Sequence, residues 1–186
     1  MWNAQRSLDS DAITSAHRQS HAHQMVCDLP ARYYSEITRP VVIDKCRAWT
    51  LPLNRQMICD YITDRPKIIC CVRDIDEIIR SFVSLFARNG RTDFYGSEYE
   101  AELSMAQAGL ISLLDSAETD TYLLVDYTRL IDDTQSELAR IYQFLNLEPF
   151  AHDLSNIVTM NSVDDSVYGL VGMHDVRPTI GRRDAI

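Results

Sequence analysis

The feature that most restricts this chain is an apolar run that ends in charge and passes directly into an amphipathic helical pattern. Ile68-Ile-Cys-Cys-Val72 is followed by Arg73 and Asp74, and then Ile75, Ile78, Ile79, Phe82, Val83 and Phe86 recur on one helical face. This order reads as a buried parallel strand feeding a helix. Arg73 stands at the carboxyl end of that strand, where open α/β sheets bind their ligands. Ser81, eight residues later, lies two turns into the helix, on a side that can look back toward the arginine. A guanidinium fork and a hydroxyl converging there suit a phosphate. A plainer reading fits the same residues: Arg73 pairs with Asp74, Asp76 or Glu77, and Ser81 is an ordinary helix serine.

The other elements alternate in the same sense. Residues 5–37 are polar and read as helical pieces interrupted by Pro30. Val41-Val42-Ile43 reads as a short strand ending at Asp44-Lys45, and Pro52 opens a helix through Met57, Ile58 and Tyr61. After the helix that ends near Asn89, Gly90–Gly96 is a loop and a long helix follows from about Ser97 to Leu114. Tyr122–Val125 is a further strand ending in Asp126-Tyr127, and Asp132/Asp133 cap a helix carrying Leu138, Ile141, Tyr142, Phe144 and Leu145. From Asn161 the pattern is irregular. Strands alternating with helices imply an α/β layered fold with a parallel sheet and right-handed crossovers.

Size and charge narrow the class. At 186 residues the expectation is one domain spanning 1–186. A net charge of −9 weighs against nonspecific nucleic-acid or membrane-surface partners, yet leaves room for a small anion held by a local basic cluster. The five cysteines (27, 46, 59, 70 and 71) show neither an even framework nor metal spacing. Buried, reduced thiols are expected, with Cys70 and Cys71 pointing to opposite faces, and a cytoplasmic location follows from that redox reading. No apolar signal region or membrane-length stretch is present in the sequence.

The Arg-x7-Ser arrangement at Arg73 and Ser81 resembles the 3′-phosphate-binding segment of the sulfotransferases, which carry sulfate on 3′-phosphoadenosine 5′-phosphosulfate (PAPS). Three further segments fall in that family's order. Val42-Ile-Asp-Lys45-Cys-Arg47-Ala-Trp49 is similar to the strand end that supplies a lysine to the transferring sulfuryl group. Tyr122-Leu-Leu-Val-Asp-Tyr127-Thr-Arg-Leu130-Ile, with Leu138 to Leu147 behind it, looks like the later strand, its Tyr-x-x-Leu turn and a helix ending in Phe-Leu-x-Leu. Tyr168-Gly-Leu-Val-Gly172-Met-His174-Asp175-Val-Arg177-Pro178 is similar to the tail of short bacterial and viral members.

The resemblance implies a three-layer α/β fold of the P-loop NTPase type, PAPS as co-substrate without a metal, and a hydroxyl acceptor that is a small molecule, carbohydrate or peptide. It implies Arg73, Ser81 and Arg177 as nucleotide ligands, with Arg182-Arg183 as further basic candidates. Lys45, or alternatively Arg47, would meet charge on the sulfuryl oxygens. His174, oriented by Asp175, or alternatively Asp44, would deprotonate the acceptor.

One departure is as informative as the matches. The family's 5′-phosphosulfate site is a glycine-bearing loop between the first strand and first helix. Here no glycine precedes Gly90 and no strand-like run precedes Pro40. The expectation is a fold whose first strand and phosphate loop are missing, hence a chain truncated at its amino end, or a short inactive relative that only binds nucleotide or a partner. Among the remaining candidates, His17, His21 and His23 lack the neighbours a zinc site needs and read as a solvated polar helix.

Overall fold

In the computed structural model the described residues are 16–116, 119–159 and 163–181. They fall into two compact units divided at Ile68/Ile69, Leu103/Ser104 and Thr121/Tyr122. The elements are helices α1 (Ala16–Tyr33) and α2 (Pro52–Tyr61), strand β1 (Ile68–Val72), helices α3 (Ile75–Arg88) and α4 (Glu98–Leu114), strand β2 (Tyr122–Asp126), helices α5 (Tyr127–Asp132) and α6 (Thr134–Leu145), and a 3₁₀ turn at Asp165–Tyr168.

The first unit is helical. Pro52 occupies the first turn of α2, where its missing N–H is harmless, and Met57 and Ile58 are buried. Arg55 is buried too, and its Nη1 donates to the Thr50 carbonyl at 2.5 Å. Gly109 of α4 passes so close to Thr50 that a Cβ would collide with its hydroxyl oxygen and sit 3.2 Å from the Leu51 nitrogen. Only glycine fits that approach. Two expectations fail in this unit. Pro30 does not interrupt the helix: α1 runs through it to Tyr33, because a proline one turn from the end forfeits a single intrahelical bond. Val41–Ile43 is not a strand; it is irregular and exposed, since an apolar triplet without a hydrogen-bonded neighbour has no ladder to join.

The second unit holds the strand–helix junctions. β1 and β2 form a two-stranded parallel sheet, so the α/β character expected from the periodicity is present. Asp74 caps α3 by accepting from the Glu77 amide at 3.1 Å, while Asp76 and Glu77 occupy the positive first turn and Arg88 the last. The apolar stripe foreseen on α3 meets the loop and tail behind it: Leu85, Phe86, Phe94, Tyr99 and Leu170 form the core, with Ile79, Phe82, Leu103 and Met173 packed around it. Phe86 meets Phe94 and Tyr99 edge-on, with centroids 5.6 and 5.7 Å apart.

β2 is followed by a helix that the sequence pattern did not separate. Asp126 caps α5, accepting from the Arg129 amide at 2.9 Å, and Asp133 caps α6 in turn. Glu137, only 1% exposed, fixes the two helices by facing Arg129 at 3.0 Å and Arg140 on its own helix. The cysteines form no disulfide and are not uniformly buried: Cys70 is buried, whereas Cys46, Cys59 and Cys71 are exposed. Strand alternation explains the split at 70 and 71, and a sheet of two strands leaves one face of β1 uncovered.

Candidate functional site

Parallel strands put their carboxyl ends on the same edge of a sheet, and the residue just beyond each strand therefore faces the same region. Beyond β1 that residue is Arg73; beyond β2 and its Asp126 cap it is Tyr127. They touch: the Arg73 guanidinium carbon stands 4.4 Å from the centre of the Tyr127 ring. The opposite side of the story is Glu77, whose Oε2 accepts from Arg73 Nε at 2.8 Å. The plainer reading of Arg73 is thus realised, but only through one edge of the fork. Its terminal NH₂ groups donate to no acceptor among the described residues, so the guanidinium keeps the edge that would grip a phosphate. Ser81 is half-buried on α3, one turn beyond Glu77 on the same face.

Tyr127 also walls an open cleft of about 240 Å³, together with Ile131 of α5, Ile157, and Val176, Arg177 and Thr179–Gly181 of the tail. Arg177, the third expected nucleotide ligand, therefore lines the same cleft as the tyrosine that Arg73 touches. The tail is held there by a hydrogen bond from the Ile157 amide to the Pro178 carbonyl at 2.7 Å. Sequence reasoning treated Tyr127 only as part of a turn. The signal that finds it is its position, immediately after the second strand as Arg73 is after the first.

His174 is paired, though not with Asp175. Its Nδ1 lies 2.5 Å from Oδ1 of Asp165, and its backbone amide donates to Oδ2 of the same residue at 2.9 Å. Asp165 lies at the start of the 3₁₀ turn, nine residues away, close enough for the chain to curl back; Asp175 is adjacent in sequence but lies toward Gly172. The His174 amide, and then its ring, hold the Asp165 carboxyl below the usual carboxylate range. With Nδ1 engaged by a carboxylate, Nε2 is the nitrogen available to accept a proton.

Lys45 stands in the first unit on the exposed irregular segment, and Arg47 nearby is exposed as well. The Asp44 carboxylate accepts from Tyr34 at 3.1 Å and from the Trp49 indole at 2.9 Å. His23 packs on Tyr61 with ring centres 5.0 Å apart. The side chain of His17 and both Arg182 and Arg183 lie outside the described residues. Among the described residues no group of three or more His, Cys, Asp or Glu side chains is gathered as a metal site, and no helix is long and apolar enough to cross a membrane.

A model of the sulfotransferase family matches residues 11–152, about three-quarters of the sequence. The chain belongs to the sulfotransferase family. Sulfuryl transfer is accordingly the chemistry its family carries out. The match includes Lys45, Arg73, Ser81 and Tyr127 and ends before the tail with Asp165, His174 and Arg177. Comparison with curated proteins finds no match, and comparison with solved structures finds none.

Proposed function

We propose that this family member moves a sulfuryl group from PAPS to a hydroxyl acceptor, with the nucleotide's 3′-phosphate held by Arg73, Ser81 and Arg177. The observation that carries the reading is the Arg73–Tyr127 contact at the sheet's carboxyl edge, on the wall of the cleft that Arg177 also lines. A guanidinium on the Tyr127 ring, and a second arginine lining the cleft that Tyr127 walls, fit a phosphorylated nucleoside: charge for the phosphate and an aromatic face for the base. The three-layer arrangement of the P-loop type belongs to the same reading.

PAPS, when bound, supplies the sulfuryl group and leaves as 3′,5′-adenosine bisphosphate once the sulfur is bonded to the acceptor oxygen. This chain's residues do the rest. Arg73 presents its terminal NH₂ groups to the 3′-phosphate, and Ser81 adds a hydroxyl donor. His174 receives the acceptor's proton on Nε2 while Asp165 holds Nδ1. Lys45 meets the charge that develops on the sulfuryl oxygens. A second reading, a nucleotide-binding domain without turnover, is favoured by the Glu77 carboxylate that already occupies one edge of Arg73.

Labelled PAPS incubated with carbohydrate, tyrosine-peptide and small-alcohol acceptors separates the two. Sulfate transfer that is lost in Arg73→Ala supports the enzyme. Saturable binding of 3′,5′-adenosine bisphosphate without transfer to any acceptor supports the binding domain.

A further inference from the structure

Asp165 is more heavily engaged than a turn residue needs to be. It is 8% exposed, and its carboxylate accepts from the His174 amide on one oxygen and meets the His174 ring with the other. Buried carboxylates with several charge-assisted or backbone donors fix chain geometry. The segment it binds is closely tied to the core of its unit. Leu170 is fully buried, and Asn89 at the end of α3 clasps Val171 from both sides, donating to its carbonyl at 3.2 Å and accepting from its amide at 2.9 Å. Gly169 and Gly172, with φ of +63° and +86°, supply the left-handed turns that let the chain fold back on Asp165. Three residues beyond His174 comes Arg177, and one residue later the Pro178 carbonyl is anchored by the Ile157 amide. Arg177 is therefore suspended between two anchors, one made by Asp165 and one by Ile157.

We propose that Asp165 is a positioning residue for nucleotide binding: its carboxylate sets the path of residues 172–178 and so brings Arg177 to the cleft wall at Tyr127. The binding half of this inference rests on Arg177 being a phosphate ligand; the mechanical half does not. Removing the carboxylate leaves the His174 amide and the His174 ring without their common acceptor. The strap then loses its first anchor, and the Ile157–Pro178 bond must hold it alone. Asparagine keeps one oxygen for the His174 amide and restores part of the anchor.

The test uses the full chain, amide exchange by NMR and calorimetry with 3′,5′-adenosine bisphosphate and AMP. Asp165→Ala should speed exchange of the Ile157 amide about tenfold or more while the Phe86 amide in α3 is unchanged, with Asp165→Asn intermediate. The same Ala variant should bind 3′,5′-adenosine bisphosphate about tenfold more weakly and AMP as before, and adding Arg177→Ala should cost nothing further. Unchanged Ile157 exchange, or losses from the two substitutions that add, would overturn the proposal. Should Asp165→Ala fail to fold, Asp165→Asn and His174→Gln report on the same amide. A wild-type chain that binds both nucleotides equally would retract the phosphate reading of Arg177, and Ile157 exchange would still decide whether Asp165 anchors the strap.

Discussion

The surroundings of Phe86 and those of Lys45 were built by different means. Phe86 lies at 1% exposure among Phe94, Tyr99 and Leu170, on a helix with a capped start and a charge pattern that suits its dipole. Lys45 follows three apolar residues, Val41, Val42 and Ile43, that are 42%, 44% and 76% exposed and belong to no element. Side chains that must meet a ligand reproducibly are best carried by packed elements. By that measure Arg73 and Ser81, proposed to bind the nucleotide, stand on a prepared frame, whereas Lys45, proposed to assist transfer, does not.

That contrast can be broken experimentally. Phe86→Ala should cost about 3–5 kcal/mol in a denaturant titration, as expected for an aromatic side chain lost from a packed core. A loss under about 1 kcal/mol would mean that the frame around α3 is loose. The next effect is chemical: burial, and then the neighbouring Cys71, push the Cys70 thiol up to about 11. Native labelling of Cys70 should be at least about a hundredfold slower than for an unperturbed exposed thiol of pKa about 8.5, and should recover on unfolding. Equal rates for Cys70 and the exposed Cys46 would show that β1 is open on both faces.

Two smaller effects sharpen the comparison. Glu77→Gln removes the carboxylate that competes for Arg73, and 3′,5′-adenosine bisphosphate should then bind up to about fivefold more tightly, the scale of an exposed ion pair worth about 1 kcal/mol or less. Weaker binding would show that Glu77 serves to orient the arginine. Ile43→Ala should change stability by under about 0.5 kcal/mol, because that side chain is mostly in water already. A loss of 2 kcal/mol or so, on the scale of a buried aliphatic residue, would place Ile43 in a core.

What could be read from the sequence followed the physics of each signal. β1 and α3 were legible because an unbroken apolar run passes directly into a strong amphipathic stripe, and the Arg73–Ser81 spacing was legible because it sits on those elements. Val41–Ile43 misled because a short β-branched triplet signals a strand only if a neighbour pairs with it, which local pattern cannot tell. Pro30 misled for the opposite reason: one lost hydrogen bond near a helix end is cheap. The tyrosine wall and the acid partner of His174 depend on contacts across 54 and nine residues, respectively. Adjacency pointed to Asp175, and only the left-handed turns at Gly169 and Gly172 make Asp165 the partner.

The central claim is that Arg73 and its neighbours recognise a 3′-phosphate, and calorimetry with two nucleotides differing only in that group tests it most directly. The account predicts that 3′,5′-adenosine bisphosphate binds more tightly than AMP by roughly 1.5–3 kcal/mol, the worth of a charge-assisted hydrogen bond, and that Arg73→Ala removes the difference. Equal affinity for the two nucleotides in the folded wild-type chain, or a preference that survives Arg73→Ala, would contradict it.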